Sequence, residues 1–451
     1  MKYIFFMLVG VVVILGGTIF FVNQAHPSRE FSADITAMNK SSAMAVPVVT
    51  PTIEERIKEA QKRSSTIKGL YMTAEVANDG GAAATRLRNS IIHLAETTEI
   101  NGIVIDVKEV CGLEYNRDRL KQLIAKLHDK HIWTIARIVT FKDASQIETH
   151  PGWYLTRTMP KTVFDQCSNK LYLRTKNPDE KKSGVMLWRD DKGGYWLDPA
   201  SIDVYNYIAD IGKKIIDLGF DELQFDYIRF PSDGDVNRAV FPVWDKKIPK
   251  FTVLKSFFAF LHDSLKQYKP EIILSADMFG YAAIRAGDVG IGQRLEDIGS
   301  SFDYVSFMVY PSHYYSGLNL PFDPIHNFSA INYDRKQVRI HPDITVARSL
   351  QIAQDFLDSL IASSSATTTI GTSIGGDQPR NTQTYTEPNV KLRPWLEDFF
   401  HEADKEAGRP YGAEKVRMQI NGAEHVAASG WLLWNAANVY TEGALKPKEL
   451  Q

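Results

Sequence analysis

The stretch Asp221-Glu-Leu-Gln-Phe-Asp-Tyr-Ile-Arg-Phe-Pro231 reads as a buried strand that ends in polar chemistry. Phe220, Leu223 and Phe225 supply apolar, β-favouring bulk. A carboxylate (Asp226), an aromatic (Tyr227) and a cation (Arg229) follow before Pro231 ends the run. A charge at the end of a buried strand is costly unless it is paired or used. Two readings stand side by side: a structural Asp226–Arg229 ion pair, and a working site at a strand end.

Outward from this stretch, one alternation dominates. Apolar runs lead through polar turns into segments of helical period. Upstream, the runs are Lys68–Ala74, Gly102–Lys108 and Ile132–Phe141, and downstream they are Ile272–Gly280, Phe302–Tyr310, Lys391–Trp395 and Gly430–Asn435. Helical stripes fall between them, such as Leu120, Leu123, Ile124 and Leu127, or Val253, Phe257, Leu261 and Leu265. Eight such strands predict a closed (β/α)8 TIM barrel with long βα loops, parallel and covered by helices. The rival, an open doubly wound sheet, calls for a glycine-rich phosphate turn after the first strand, and the sequence has none there. The chain stops soon after the eighth strand. The last outer helix is therefore missing, or another segment takes its place, Thr52–Arg63 being the candidate. Thr52 and Glu55 have the spacing of a capping box for that helix.

Residues Tyr3–Val22 form an uncharged apolar run, preceded by Lys2. Twenty apolar residues span a bilayer as a helix, and the basic start keeps the N-terminus inside. We expect a transmembrane signal anchor over 1–25, a linker over 26–66 and the barrel over 67–443, exported to the outside. A cleaved signal peptide is the alternative, and it exports the domain equally. The Ser/Thr/Gly-rich tract 362–386 reads as a flexible insertion. Cys111 and Cys167 follow the second and third strands, and in an exported chain they either pair or stay as two thiols. The formal net charge of −2 gives no reason to expect a nucleic-acid partner.

In a barrel of this kind the C-terminal strand ends form the working face. Those ends supply Asp106 and Lys108, Arg137, Asp226 and Arg229, Asp277, Tyr310 with His313 beyond it, Trp395, and Trp434. The insertion after the third strand returns through Asp198. Cleaving a glycosidic bond needs two carboxyl groups flanking it. Asp226 and Asp277 sit at matching depth on adjacent strands, which suits a retaining pair. Trp153, Trp188, Trp196, Trp244, Tyr314 and Tyr315 fall in long loops, where rings pack on sugar faces or build loop core; two or three are expected to touch ligand. His150, His313, His326 and His341 lack metal-ligand spacing, so no metal and no cofactor is expected. Lys108 has the chemistry of a Schiff-base lysine, but alternation puts it on the face of Asp106, which favours an ion pair and a raised pKa.

Several pieces together resemble the glycoside hydrolase family of the DUF4015 type. They are Gly69-Leu-Tyr71, Ile105-Asp-Val-Lys108, Phe225-Asp-Tyr-Ile-Arg-Phe-Pro231, Ser275-Ala-Asp277, Met308-Val-Tyr-Pro-Ser-His-Tyr314, Arg393-Pro-Trp-Leu-Glu-Asp-Phe399 and Gly430-Trp-Leu-Leu-Trp-Asn-Ala436. The resemblance implies a TIM barrel acting on a polysaccharide outside the cytoplasm. The layout also looks like that of α-amylase-type enzymes, in which the fourth-strand Asp is the nucleophile. There the fifth strand carries Glu, and here it carries Asp277. The expected catalytic residues are Asp226 and Asp277. Asp106, Lys108, Arg137, Asp198, Arg229, Tyr310, His313, Trp395 and Trp434 are expected to bind the oligosaccharide or polysaccharide. A non-catalytic glycan-binding barrel is the alternative.

Overall fold

The computed structural model describes residues 50–158, 165–167, 186–285, 287–367, 390–399, 411–426 and 429–448. The expected anchor, the linker up to residue 49 and most of the 362–386 tract lie outside the described residues. No helix among the described residues is long and apolar enough to cross a membrane.

Eight strands close on themselves: β1 Ile67–Met72, β2 Gly102–Glu109, β3 Trp133–Val139, β4 Glu222–Asp226, β5 Ile273–Phe279, β6 Tyr304–Met308, β7 Trp395–Glu397 and β8 Gly430–Trp434. Every neighbouring pair is parallel, and β1 joins both β2 and β8 to complete the ring. The predicted (β/α)8 barrel is therefore present. Two expected strands end or break at a visible backbone cause. The run Phe220–Pro231 stops being strand at Asp226, because Tyr227 turns into the left-handed region at φ 49°. The seventh run breaks at Arg393-Pro394, leaving a separate pair Lys391–Leu392 below β7, since proline offers no N–H to a ladder.

The outer helices are α2 Ala82–Thr97, α3 Arg117–His128, α4 Ile202–Ile216, α5 Lys250–Tyr268, α6 Leu295–Ile298, α7 Pro342–Thr367 and α8 Ala413–His425. Each of the longer ones turns an apolar stripe to the sheet; α5 does so with Val253, Leu254, Phe257, Phe258, Leu261 and Leu265. The N-terminal helix α1, Ile53–Ser64, carries the Thr52/Glu55 capping box. It does not replace the missing outer helix. It lies across the N-terminal end of the barrel, where Arg63 stacks on Trp133 at 5.2 Å and Ser64 Oγ meets the Tyr304 hydroxyl at 2.9 Å. The gap in the outer ring is filled instead by the turn Glu442–Ala444 and the tail behind it. Glu99 N–H donates to the Lys446 carbonyl and Lys448 N–H to the Thr97 carbonyl, both at 2.9 Å.

The floor of the barrel is ionic. Arg393 Nη1 donates to both oxygens of Glu222, at 2.8 and 2.9 Å, and both side chains are fully enclosed. Trp133 Nε1 and Ser275 Oγ complete the Glu222 shell at 3.0 and 2.6 Å, and Arg393 Nη2 reaches the Ser64 carbonyl at 2.8 Å. Above this floor Val104, Ile135, Ile273 and Leu432 pack as an apolar layer. The insertion after β3 buries Tyr154, Trp188 and Trp196 as an extension of the main hydrophobic core. Cys111 and Cys167 are disulfide-bonded, which ties that insertion to the turn after β2.

Removing one partner of the floor pair strands a buried charge. We expect Arg393→Met to lower stability by about 3–5 kcal/mol, and Arg393→Met with Glu222→Leu to recover much of that loss. Urea unfolding of the two variants against wild type measures both.

Candidate active site

At the upper end of the barrel the same architecture presents acids. The register sets Asp106 beside Arg137, Val139 beside Asp226, and Phe225 beside Ala276, so Asp226 and Asp277 follow in step on β4 and β5. The Arg137 guanidinium reaches into the middle of three carboxylates. Nη1 donates to Asp106 Oδ1 at 2.6 Å, Nη2 donates to Asp226 Oδ2, and Nε lies 3.9 Å from Asp277 Oδ2. Burial works against the charge on Arg137, but Asp106 and Asp226 outweigh it and hold its pKa well above the usual value. Arg137 also faces the Trp434 ring at 5.0 Å, and Trp434 stacks on Tyr71 at 3.9 Å.

The two candidate acids differ in their surroundings. Asp226 takes the Arg137 bond and the backbone N–H of Tyr227, at 2.6 Å. The left-handed Tyr227 is a non-glycine residue in a sparsely populated conformation at a strand end. Asp277 accepts one hydrogen bond from Trp395 Nε1, at 2.8 Å, and is 2% exposed. Burial, and then the Asp226 charge, push the Asp277 carboxyl well above its ordinary pKa. Tyr310 closes over the pair; burial, followed by Asp277 and Asp226, raises its hydroxyl in the same direction.

A cavity of about 470 Å³ lies against Tyr227 and Phe279, which follow Asp226 and Asp277 in the chain, and neither acid lines it. Tyr227, Arg229, Phe279, Met308, His313 and Tyr314 form much of its wall. Of the six loop aromatics singled out in the sequence, Tyr314 and Tyr315 line it, while Trp188 and Trp196 are enclosed in loop core.

The expected site residues thus sort into groups. Asp106, Arg137, Asp226, Asp277, Tyr310, Trp395 and Trp434 converge at the barrel mouth, and Arg229 and His313 line the adjoining cavity. The expected Asp226–Arg229 ion pair is not formed. Arg137 takes that place, and Arg229 turns to three aromatic rings. Asp198 does not face the mouth. It is fully buried and receives the backbone N–H groups of Ala200, Val243 and Trp244, which makes it a loop anchor. Lys108 leaves the face of Asp106 as well. A bulge between Asp106 and Lys108 reverses the alternation, so Lys108 is enclosed against Asp143 at 3.0 Å. Burial lowers the Lys108 pKa, opposite to the expected direction.

The same bulge brings forward a residue the sequence reading missed. Glu109 arrives on the Asp106 side, and burial, then Asp106, pushes its carboxyl up to about 7. Tyr71, whose hydroxyl donates to Asp106 Oδ2, was also passed over. Its signal was available: an aromatic at an inward position near the end of β1. Elsewhere, Asp323 and Asp355 approach the two ring nitrogens of His326 at 3.0 and 3.5 Å, but Arg348 stands 3.6 Å from Asp323 and offsets their charge.

The chain belongs to the DUF4015 family, described as a "putative glycosyl hydrolase domain", which matches residues 69–440. No curated protein matches it. Among solved structures, a hypothetical protein from Ruminiclostridium thermocellum shares 26% identity, covering 46% of this chain and 96% of its own, with a TM-score of 0.35. An α-amylase from Geobacillus thermoleovorans shares 11%, covering 84% and 72%, with a TM-score of 0.42. A cycloisomaltooligosaccharide glucanotransferase from Paenibacillus shares 12%, covering 75% and 39%, also at 0.42. The chain therefore spans well under half of that last protein. It is an enzyme of the glycosyl hydrolase class.

The raised pKa of Asp277 has a signed consequence. Below the unfolded-state pKa of about 3.9 both states hold the proton, and nothing is lost. As pH rises past that value, the unfolded chain releases a proton that the folded chain keeps, and stability falls. We expect Asp277→Asn to be more stable than wild type at pH 7 and equal to it near pH 3. Thermal unfolding at both pH values tests this.

Proposed function

We propose that this domain cleaves a polysaccharide or cell-wall glycan with retention, Asp226 acting as nucleophile and Asp277 as general acid/base. The observation that carries the reading is the contrast between two carboxyl groups on one guanidinium. Asp226 is bonded to Arg137, while Asp277 is dry and pushed towards its protonated form. In the first step Asp277 gives its proton to the glycosidic oxygen as Asp226 attacks the anomeric carbon, and the C–O bond to the leaving sugar breaks. In the second, Asp277 takes a proton from water, whose oxygen displaces Asp226 from the sugar. Neighbouring strands about 4.8 Å apart suit the short carboxylate spacing of retaining enzymes, about 5–5.5 Å. Arg137 restrains the nucleophile, and the aromatic wall of the cavity offers faces for sugar rings.

We further propose that the domain works outside the cytoplasm, held by a helix over Tyr3–Val22. The uncharged apolar run after Lys2 and the Cys111–Cys167 disulfide both support an exported chain. Protease added to intact cells should then degrade the domain, and protection in intact cells with cleavage after lysis would reverse the assignment.

The test of the chemistry is kinetic. Reducing-end release from a glycan panel should fall by about 10⁴-fold or more in Asp226→Asn, and by about 10²–10⁴-fold in Asp277→Asn. Azide should restore turnover to the Asp226 variant with a glycosyl azide of inverted anomeric configuration. Glycan binding without release by the wild-type protein would point instead to a non-catalytic binding barrel.

A further inference from the structure

The cavity wall contains a cation whose partners are unlike those of three other buried cations of the barrel. Arg137, Arg393 and Lys108 each meet a carboxylate, at 2.6, 2.8 and 3.0 Å. Arg229 is 6% exposed, yet no carboxylate among the described residues pairs with it. Its guanidinium is flanked by the rings of Phe279, Tyr227 and Trp196, at 4.5, 5.0 and 5.1 Å. Nη1 donates to the Phe230 carbonyl at 3.0 Å, which fixes the group. Nε and Nη2 find no hydrogen-bond partner among the described residues, and the side chain lines the cavity. Aromatic faces stabilise a guanidinium through its ring-facing surface and leave its edge donors unused. A buried cation without a counter-charge is costly, and burial accordingly lowers the Arg229 pKa.

The acids nearby do not complete the set, and Asp226 is already bonded to Arg137. Asp190 is committed to Lys142 at 2.8 Å, to Trp196 Nε1 at 2.9 Å and to the Gly194 N–H at 2.8 Å. Asp233 is exposed and takes the Ser232 hydroxyl at 3.1 Å and the Asp191 N–H at 3.2 Å. Lys192 and Asp233, both exposed, offset each other on the same rim. We propose that the glycan bound here is anionic, and that Arg229 receives the carboxylate of a uronate residue in the cavity beside the acid pair. The inference rests on the hydrolase reading for its sugar, and on the unpaired guanidinium for its charge. A planar carboxylate matches the edge of a guanidinium, and such charge-assisted bonds are about twice as strong as neutral ones. A neutral glycan would leave Arg229 buried and unpaired in the complex.

The experiment uses the full-length protein with Asp226→Asn, so that ligands stay intact during calorimetry. The probes are hexamers of galacturonate, mannuronate and glucuronate, the methyl ester of each, cellohexaose, and a sulfated galactan hexamer. At least one uronate should bind, about tenfold or more tighter than its own methyl ester, and weaken as salt rises. Adding Arg229→Met should erase the difference between acid and ester, and Arg229→Lys should keep part of it, which separates loss of charge from loss of fold. Equal binding of acid and ester, no binding of any uronate, or an acid preference that survives Arg229→Met would overturn the proposal. Preference for the sulfated hexamer over every uronate would overturn the carboxylate assignment. Binding reports on this inference, and reducing-end release by the wild-type chain reports on hydrolysis. Acid-selective binding without release sinks the hydrolase reading alone.

Discussion

Everything at the mouth of this barrel depends on one guanidinium held among three carboxylates. Arg137 bonds Asp106 and Asp226 directly, and it stands too far from Asp277 to do the same. Inside a closed sheet there is little water to share the remaining charge. The excess acid is accommodated by protonation, and it falls on Asp277, which is buried and has no short cationic contact. The floor is built differently: Arg393 and Glu222 balance one to one. The same strands thus carry a matched pair at one end and a surplus of acid at the other. A matched pair is what a scaffold needs. A surplus is a stored capacity to give up a proton.

Aromatic rings do two jobs around this charge. Trp434 and Tyr71 shield the Arg137 side of the cluster, and Trp395 supplies the hydrogen bond that orients Asp277. Farther out, Trp196, Tyr227 and Phe279 hold Arg229 without neutralising it. One arginine is locked by acids and the other is kept open by rings. Arg229 follows Asp226 by three residues and Arg137 reaches Asp226 from β3, yet the two meet opposite needs.

Much of this was legible in the sequence, because parallel strands buried on both faces announce themselves as apolar runs and their ends announce themselves as polar breaks. Asp106, Arg137, Asp226 and Asp277 were found in that way. Three things were hidden. The bulge after Asp106 is a backbone event with no side-chain signature, and it exchanged Lys108 for Glu109. The partner of Asp226 comes from β3, distant in sequence, so the nearby Arg229 was the natural but mistaken choice. Asp198 looks like any strand-end acid, and only the fold of the loop shows its oxygens spent on backbone N–H groups. The placement of α1 was equally hidden, since a capping box fixes where a helix begins and says nothing of what it covers.

The closure of the ring has a kinetic side. β1 finds its second neighbour only in β8, through pairs such as Leu70 with Leu433, and Gly430 lies so close to the Ile67 carbonyl that a side chain there would collide with it. The floor likewise joins Ser64 to Arg393. A chain made from its N-terminus first holds most of its strands before it holds the one that seals them. Until the last strand arrives, the edges of β1 and β7 stay open to other chains. Folding to the closed barrel is therefore a late event, completed only once β8 has been made.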